Sequence, residues 1–212
     1  PLNDLQDLLT ALGIDSFGEL FTAFGSNPLA LVGALNGLLG QDNLIAITNS
    51  VISGNDDAGI RIAGGSDGMG NDTLTAGVIV SGNHIGTNAA GTDAVPNGTG
   101  TSGDGSGVLI EQKAALNFVI GNVIAANEGD GVRITAGEVD FPNFVGGNFI
   151  GLPNPFDVPN PLSLGPDTWG NFESGVFVAS RPSAGNATGT ASVVAANFVG
   201  FNRCGTWSDP PL

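Results

Sequence analysis

The sequence predicts an all-β solenoid behind an N-terminal α-helical segment, and three observations carry that prediction. The chain repeats itself at long intervals from residue 44 onward, its apolar runs are short and β-branched, and Gly and Asn punctuate them. Of 212 residues, 35 are Gly and 21 are Asn, yet hydrophobic residues still make up 41%. That apolar share is too high for a disordered chain, and the Gly residues keep no every-third-residue register, so collagen is excluded as well. A folded, turn-rich domain is what remains.

Composition bounds function before any motif is read. Lys and Arg total 5 and the formal net charge is −15, which excludes nucleic acid as a partner because phosphate neutralisation needs clustered basic residues. Cys204 is the single cysteine and His84 the single histidine, so neither an internal disulfide nor a Cys/His zinc site can form. No apolar run reaches the roughly 18 residues that a membrane-spanning helix needs, so the chain is not expected to be an integral membrane protein.

Residues 1–43 read as a helical capping segment. Leu2, Leu5, Leu8, Leu9 and Leu12 have helical spacing, with Asn3 placed as N-cap and Gly13 as stop. Ser16 and Glu19 form a capping-box pattern ahead of Leu20, Phe21 and Phe24. Asn27 and Pro28 open a third helix that runs through Leu35 to Gly40. Helices this short need a surface to pack on, and covering one end of the following domain supplies it. A docking segment for a partner or a membrane surface is the alternative.

Residues 44–212 form the repeating domain. Val51, Ile52, Asn55, Gly59, Ile60, Arg61 and Ile62 return 72 positions later as Val123, Ile124, Asn127, Gly131, Val132, Arg133 and Ile134. Asn197, Val199 and Asn202 echo Asn122, Ile124 and Asn127 a further 75 positions on, and Gly82, Asn83, Ile85 and Gly86 return 65 positions later as Gly147, Asn148, Ile150 and Gly151. Shorter and longer units therefore alternate. The longer ones carry insertions near 86–106 and 151–174, each returning to a Gly-led strand at Gly107 or Gly175. Strands such as Val78-Ile79-Val80 are too short to stand as hairpins, so they need neighbours to stack upon, and one solenoid turn per unit superimposes the apolar positions into one interior. Asn83, Asn122, Asn148 and Asn197 each sit three residues after a Val, where the chain must bend. Asn tolerates the left-handed backbone and can hydrogen-bond along a ladder of like residues.

The pattern Val-Ile-x-x-Asn followed by Gly-Ile-x-Ile, together with Ile85-Gly86-Thr87-Asn88-Ala89-Ala90-Gly91-Thr92-Asp93, resembles right-handed, single-stranded parallel β-helix proteins. These belong to the pectate-lyase-like superfamily, of secreted or cell-surface bacterial type. The likeness covers residues 44–202 and implies about five rungs behind the helical cap. It implies no single activity, because that superfamily holds lyases, hydrolases, epimerases, adhesins and inert spacers. The hydrolase constellation of clustered Asp, Gly-His-Gly and Arg-x-Lys is absent here: His84 lies in Asn83-His84-Ile85 and Lys113 follows Glu111 by two. The related lyases hold Ca²⁺ on carboxylates and use an Arg or Lys as base. That makes Arg61, Arg133, Asp56 and Glu128 the catalytic candidates.

The alternation of Arg61 and Arg133 with inward Ile and Val places both on one outer face, two rungs of about 4.8 Å apart, hence separated by about 10 Å. Asp56 and Glu128 would be similarly separated, too far for a retaining glycosidase pair and at the outer limit for an inverting one. Gly68-Met69-Gly70-Asn71-Asp72 fits part of a calcium-binding nonapeptide, and Asp67, Asn71 and Asp72 are its candidate Ca²⁺ ligands. Trp169, inside the second insertion, is the candidate exposed platform for a sugar. Asn71, Asn97 and Asn186 begin glycosylation sequons.

The reading that results is a non-enzymatic structural or adhesive β-helix, secreted or on a bacterial surface, that presents its loops to a polysaccharide or another surface protein. A polysaccharide lyase or glycoside hydrolase, or a degenerate relative of one, is the rival.

Overall fold

The computed structural model describes residues 10, 13, 45–66, 72–100, 104–136, 142–152, 169–179 and 192–200. They wind through five rungs. The first holds β1 (Ile45–Thr48), β2 (Val51–Ile52) and β3 (Ile60–Ala63), followed by a small antiparallel pair, β4 (Gly65–Ser66) and β5 (Asp72–Thr73). The second holds β6 (Val78–Ser81), β7 (His84–Ile85) and β8 (Val108–Gln112). In the third are β9 (Phe118–Ile120), β10 (Val123–Ile124) and β11 (Val132–Ala136), and in the fourth β12 (Phe144–Gly146), β13 (Phe149–Ile150) and β14 (Val176–Val178). The fifth contributes β15 (Val193–Ala195) and β16 (Phe198–Val199).

Apart from β4 and β5, every strand pairs in parallel with its equivalent one rung away, giving sheets β1-β6-β9-β12-β15, β2-β7-β10-β13-β16 and β3-β8-β11-β14. Corner residues of successive rungs lie 33, 39, 26 and 49 positions apart. The 72- and 65-residue repeats of the sequence are therefore two-rung steps. Shorter and longer rungs alternate as the repeats predict.

Inward rows stack like on like. Ile47, Val80, Val119 and Val145 are in register in the first sheet. Ile52, Ile85, Ile124 and Ile150 line up in the second, and Ile62, Ile110 and Ile134 in the third. The middle-rung members of these rows are almost wholly buried and form one core. Fully burying a Val or Ile contributes about 1.5–3 kcal/mol, so strands of two to five residues survive because stacking supplies what their length cannot.

Asparagine ladders hold all three corners. Asn83 donates its backbone N–H and its Nδ2 to Oδ1 of Asn122, Asn122 does the same to Asn148, and Asn148 to Asn197, at 2.9–3.1 Å. A second ladder runs Asn55, Asn97, Asn127, Asn171, and a third joins Asn117 to Asn143. All of these except Asn55 and Asn197 are buried.

The left-handed backbone expected at the ladder asparagines falls one residue earlier. Gly54, Gly82, Gly121, Gly147, Ala126, Leu116 and Ala196 have φ between 54° and 74°, each just before a ladder Asn. The bend is made there, and it leaves the Asn in a conformation that aims its amide down the stack. The Gly at the head of the third-sheet strands has a different cause: a Cβ on Gly107 would stand 2.8 Å from Nδ2 of Asn127 and 2.7 Å from the carbonyl of Gly131.

The helical cap predicted for residues 1–43 lies outside the described residues, apart from a turn in which the Gly13 N–H bonds the Thr10 carbonyl at 3.1 Å. Insertion 86–106 does not stand out as one wall. It forms a tight loop over 87–94, closed by Asn88 on Thr92 and Asp93, and returns to the stack where the Val95 N–H meets the Gly86 carbonyl. Asn97 then rejoins the second ladder, the Gly98 and Gly100 N–H groups bond the Asn55 and Asp56 carbonyls, and residues 101–103 lie outside the described residues. Of insertion 151–174, residues 153–168 lie outside the described residues.

Candidate functional site

The third sheet carries the repeated arginines outward in the register the sequence predicts. Arg61 pairs with Leu109, Leu109 with Arg133 and Arg133 with Phe177, so the two arginines are two rungs apart on one face. Neither is bare. Nε of Arg61 bonds Oε1 of Glu111 at 2.5 Å, and its Nη2 reaches the same oxygen.

Arg133 sits in a carboxylate cage drawn from three loops. Its Nη1 is 2.8 Å from Oδ2 of Asp130 and 3.6 Å from Oε2 of Glu173, and its Nε is 3.2 Å from Oδ2 of Asp104. The guanidinium carbon lies 4.6 Å from the ring centre of Phe177.

The carboxylates are themselves fixed. Asp130, 1% exposed, accepts the Ser174 N–H at 2.7 Å. Asp104 accepts the Ser106 N–H and hydroxyl, and its own N–H donates to Oδ1 of Asp57 at 2.7 Å. That bond, with one from the Ala58 N–H, holds the Asp57 carboxyl below its ordinary value.

Both arginines are pushed further towards their charged form. The Glu111 hydrogen bond raises Arg61. For Arg133, burial opposes the charge most strongly, but the Asp130 bond and the fields of Asp104, Asp130 and Glu173 outweigh it. A proton-abstracting arginine needs the opposite shift.

Beside this cage a groove of about 440 Å³ runs across three rungs, lined by Glu111, Gln112, Arg133, Thr135, Phe177 and Ala179. Asp56 and Glu128 are not among its lining. They stack at the neighbouring corner with Gly98 of the intervening rung between them, since the Gly98 N–H bonds the Asn55 carbonyl and the Glu128 N–H bonds the Asn97 carbonyl.

Trp169 requires a correction. It is 2% exposed rather than a surface platform, its carbonyl takes the Ala126 N–H at 2.9 Å, and its indole Nε1 has no hydrogen-bond partner. A bulky ring closing the second insertion onto the stack gains more from burial than from water. The exposed aromatics on this side are Phe172 and Phe177.

Asn97, which begins a sequon, is a ladder residue with no exposed surface and is closed to a glycan. Of the Ca²⁺ candidates, Asp67 and Asn71 lie outside the described residues, and Asp72 opens β5 opposite Ser66. No cluster of three His, Cys, Asp or Glu side chains suited to a metal is found among the described residues, nor is a helix long and apolar enough to cross a membrane.

Asp104, Glu111, Glu173 and Phe177 escaped the sequence reading. Stacking the strands led by Gly59, Gly107, Gly131 and Gly175 would have found Glu111 and Phe177, because that alignment is the observed register. Glu173 lies between Asn171 and Gly175 at the spacing that places Asp57 between Asn55 and Gly59, whereas Asp104 arrives on an insertion with no counterpart, and no periodicity marks it. No protein-family model, curated protein or solved structure matches this chain.

Proposed function

We propose that this chain is a non-enzymatic structural or adhesive module of an exported or cell-surface bacterial protein, a stiff β-helix that presents its outer third-sheet face and loops to a glycan or another surface protein. One observation carries the reading. Each basic side chain at the candidate site is already engaged by carboxylates of the chain itself, Arg61 by Glu111 and Arg133 by Asp130, Asp104 and Glu173, which suits a fixed surface better than a proton-transfer centre. The ladders support it by giving the scaffold rigidity independent of any ligand.

The test is incubation of the purified chain with a polysaccharide panel, with and without Ca²⁺, followed by analysis for shortened or unsaturated products. No product is the expected result. Turnover that disappears in a folded Arg133→Ala variant would establish a carbohydrate-active enzyme instead.

A further inference from the structure

We propose that the third-sheet groove takes an uncharged oligosaccharide, laid along the solenoid axis across the second to fourth rungs, and excludes polyuronates. This rests on the adhesive reading above and names its ligand.

Direction follows from the lining. Glu111 and Gln112 come from β8, Arg133 and Thr135 from β11, and Phe177 and the neighbouring Ala179 from β14 and its end. The groove therefore crosses successive strands at right angles, and equivalent positions recur at about 4.8 Å. A linear chain of rings can meet one rung after another.

The chemistry is that of sugar recognition. Phe177 is 36% exposed and lies under the Arg133 guanidinium, so the two form a stacked platform against which the C–H face of a pyranose can rest. Glu111 offers acceptor oxygens, Gln112 both an acceptor and donors, and Thr135 a hydroxyl that does either. Sugar hydroxyls require that mixture, because each both donates and accepts.

Charge selects within the class. Four carboxylates (Asp104, Glu111, Asp130 and Glu173) surround two guanidinium groups, each guanidinium ion pair is to one of these carboxylates, and the whole chain carries −15. A uronate would meet a negative field in which both guanidinium charges are already offset. A neutral hydroxyl needs only a spare N–H, which a five-donor guanidinium retains.

Titration calorimetry of the full chain with cellohexaose, xylohexaose, chitohexaose and hexagalacturonate tests the inference. Uptake of at least one uncharged probe is expected, weakened about tenfold by Phe177→Ala, with no uptake of hexagalacturonate at low salt, where repulsion is greatest. Arg133→Lys, which keeps the charge but loses the flat stack, should weaken binding as well, and unchanged circular dichroism confirms that both variants fold. Hexagalacturonate bound in a Phe177-dependent way would overturn the charge argument while leaving the adhesive module standing. Failure of every probe to bind would overturn the inference and leave a spacer. Release of shortened products would overturn the non-enzymatic reading itself.

Discussion

Replacing Asn122 by Ala is the sharpest test of what holds the solenoid together. Its side chain has no exposed surface and makes four hydrogen bonds. It accepts from the backbone N–H and Nδ2 of Asn83, both at 3.0 Å, and donates to Oδ1 of Asn148 and to the Val80 carbonyl, both at 2.9 Å. The Ala variant keeps the backbone bond to Asn148 but orphans two donors on Asn83, which is itself fully buried. An orphaned buried donor costs about 1–3 kcal/mol, so the pair costs about 2–6 kcal/mol. A water entering the vacated space would find several polar partners and pull the cost towards the lower half, about 3 kcal/mol. Asn197→Ala is the matched control. It also strips two acceptor contacts, from Asn148 at 3.1 and 2.9 Å, but at the last described rung, where Asn197 is only half-buried and solvent can replace it, so about 1 kcal/mol is expected. Equilibrium urea unfolding followed by circular dichroism measures both. A loss at Asn122 no larger than that at Asn197, or below about 1 kcal/mol, would refute the claim that buried amide pairing carries the stack.

Four further outcomes follow from other features. Gly107→Ala should cost well over 1 kcal/mol in thermal unfolding, because its Cβ would meet Ile124 Cγ2 at 2.6 Å and the Gly131 carbonyl at 2.7 Å. Gly121→Ala, with φ of 65° but open space around it, should cost only the left-handed backbone penalty of about 1–2 kcal/mol. Asp57 has a lowered folded-state pKa, so its contribution is present above the ordinary carboxylate value and is lost as the pH falls through the folded one. The stability gap between the native chain and Asp57→Asn should therefore be open at neutral pH and closed in acid. Expression in a glycosylating host followed by peptide mapping should find Asn97 unmodified, since its amide is committed to Asn127 at 2.8 Å and to the Ile52 carbonyl at 3.1 Å.

How much of this was legible depends on which residues obey the rung period. The 72- and 65-residue repeats gave the alternation of short and long rungs, and the shared Val-x-x-Asn spacing gave the first ladder with all four of its members. The second ladder was visible in three of its four members. Asn55, Asn127 and Asn171 each lie four residues before a Gly-led strand, at Gly59, Gly131 and Gly175, but Asn97 is separated from Gly107 by the rest of its insertion, and only the fold shows that it returns to the same corner. The third ladder joins Asn117 to Asn143 at a corner where no Val precedes at the marked spacing. Leu116 and Ala126 adopt positive φ that no residue preference would suggest, since their stacked surroundings override a local cost of about 1–2 kcal/mol each. Trp169 misled for a related reason. A Pro- and Gly-rich context suggests exposure, but tertiary closure of the loop decides it.

The candidate site lies where the period stops constraining the sequence, and the ladder chemistry explains why. In a ladder each Asn Oδ1 accepts from the rung before, while its Nδ2 donates to the rung after and back to a carbonyl, so every member is satisfied by identical neighbours and carries no net charge. Replacing that Asn with Asp would set a carboxylate oxygen against Oδ1 of the next rung, and the corners therefore exclude titratable groups. The inward rows exclude them as well, by burial. Charged chemistry then collects on outward strand positions and loops, where Arg61, Glu111, Arg133, Asp104 and Glu173 are found, and the one buried member of the site, Asp130, is paired with Arg133 and takes the Ser174 N–H. Of these only Arg61 and Arg133 answer to the 72-residue repeat, and changing any of them leaves the stacked rows and ladders intact. A scaffold built in this way can alter what its outer face recognises without altering its fold, and the residues that decide recognition must be found from register, not from periodicity.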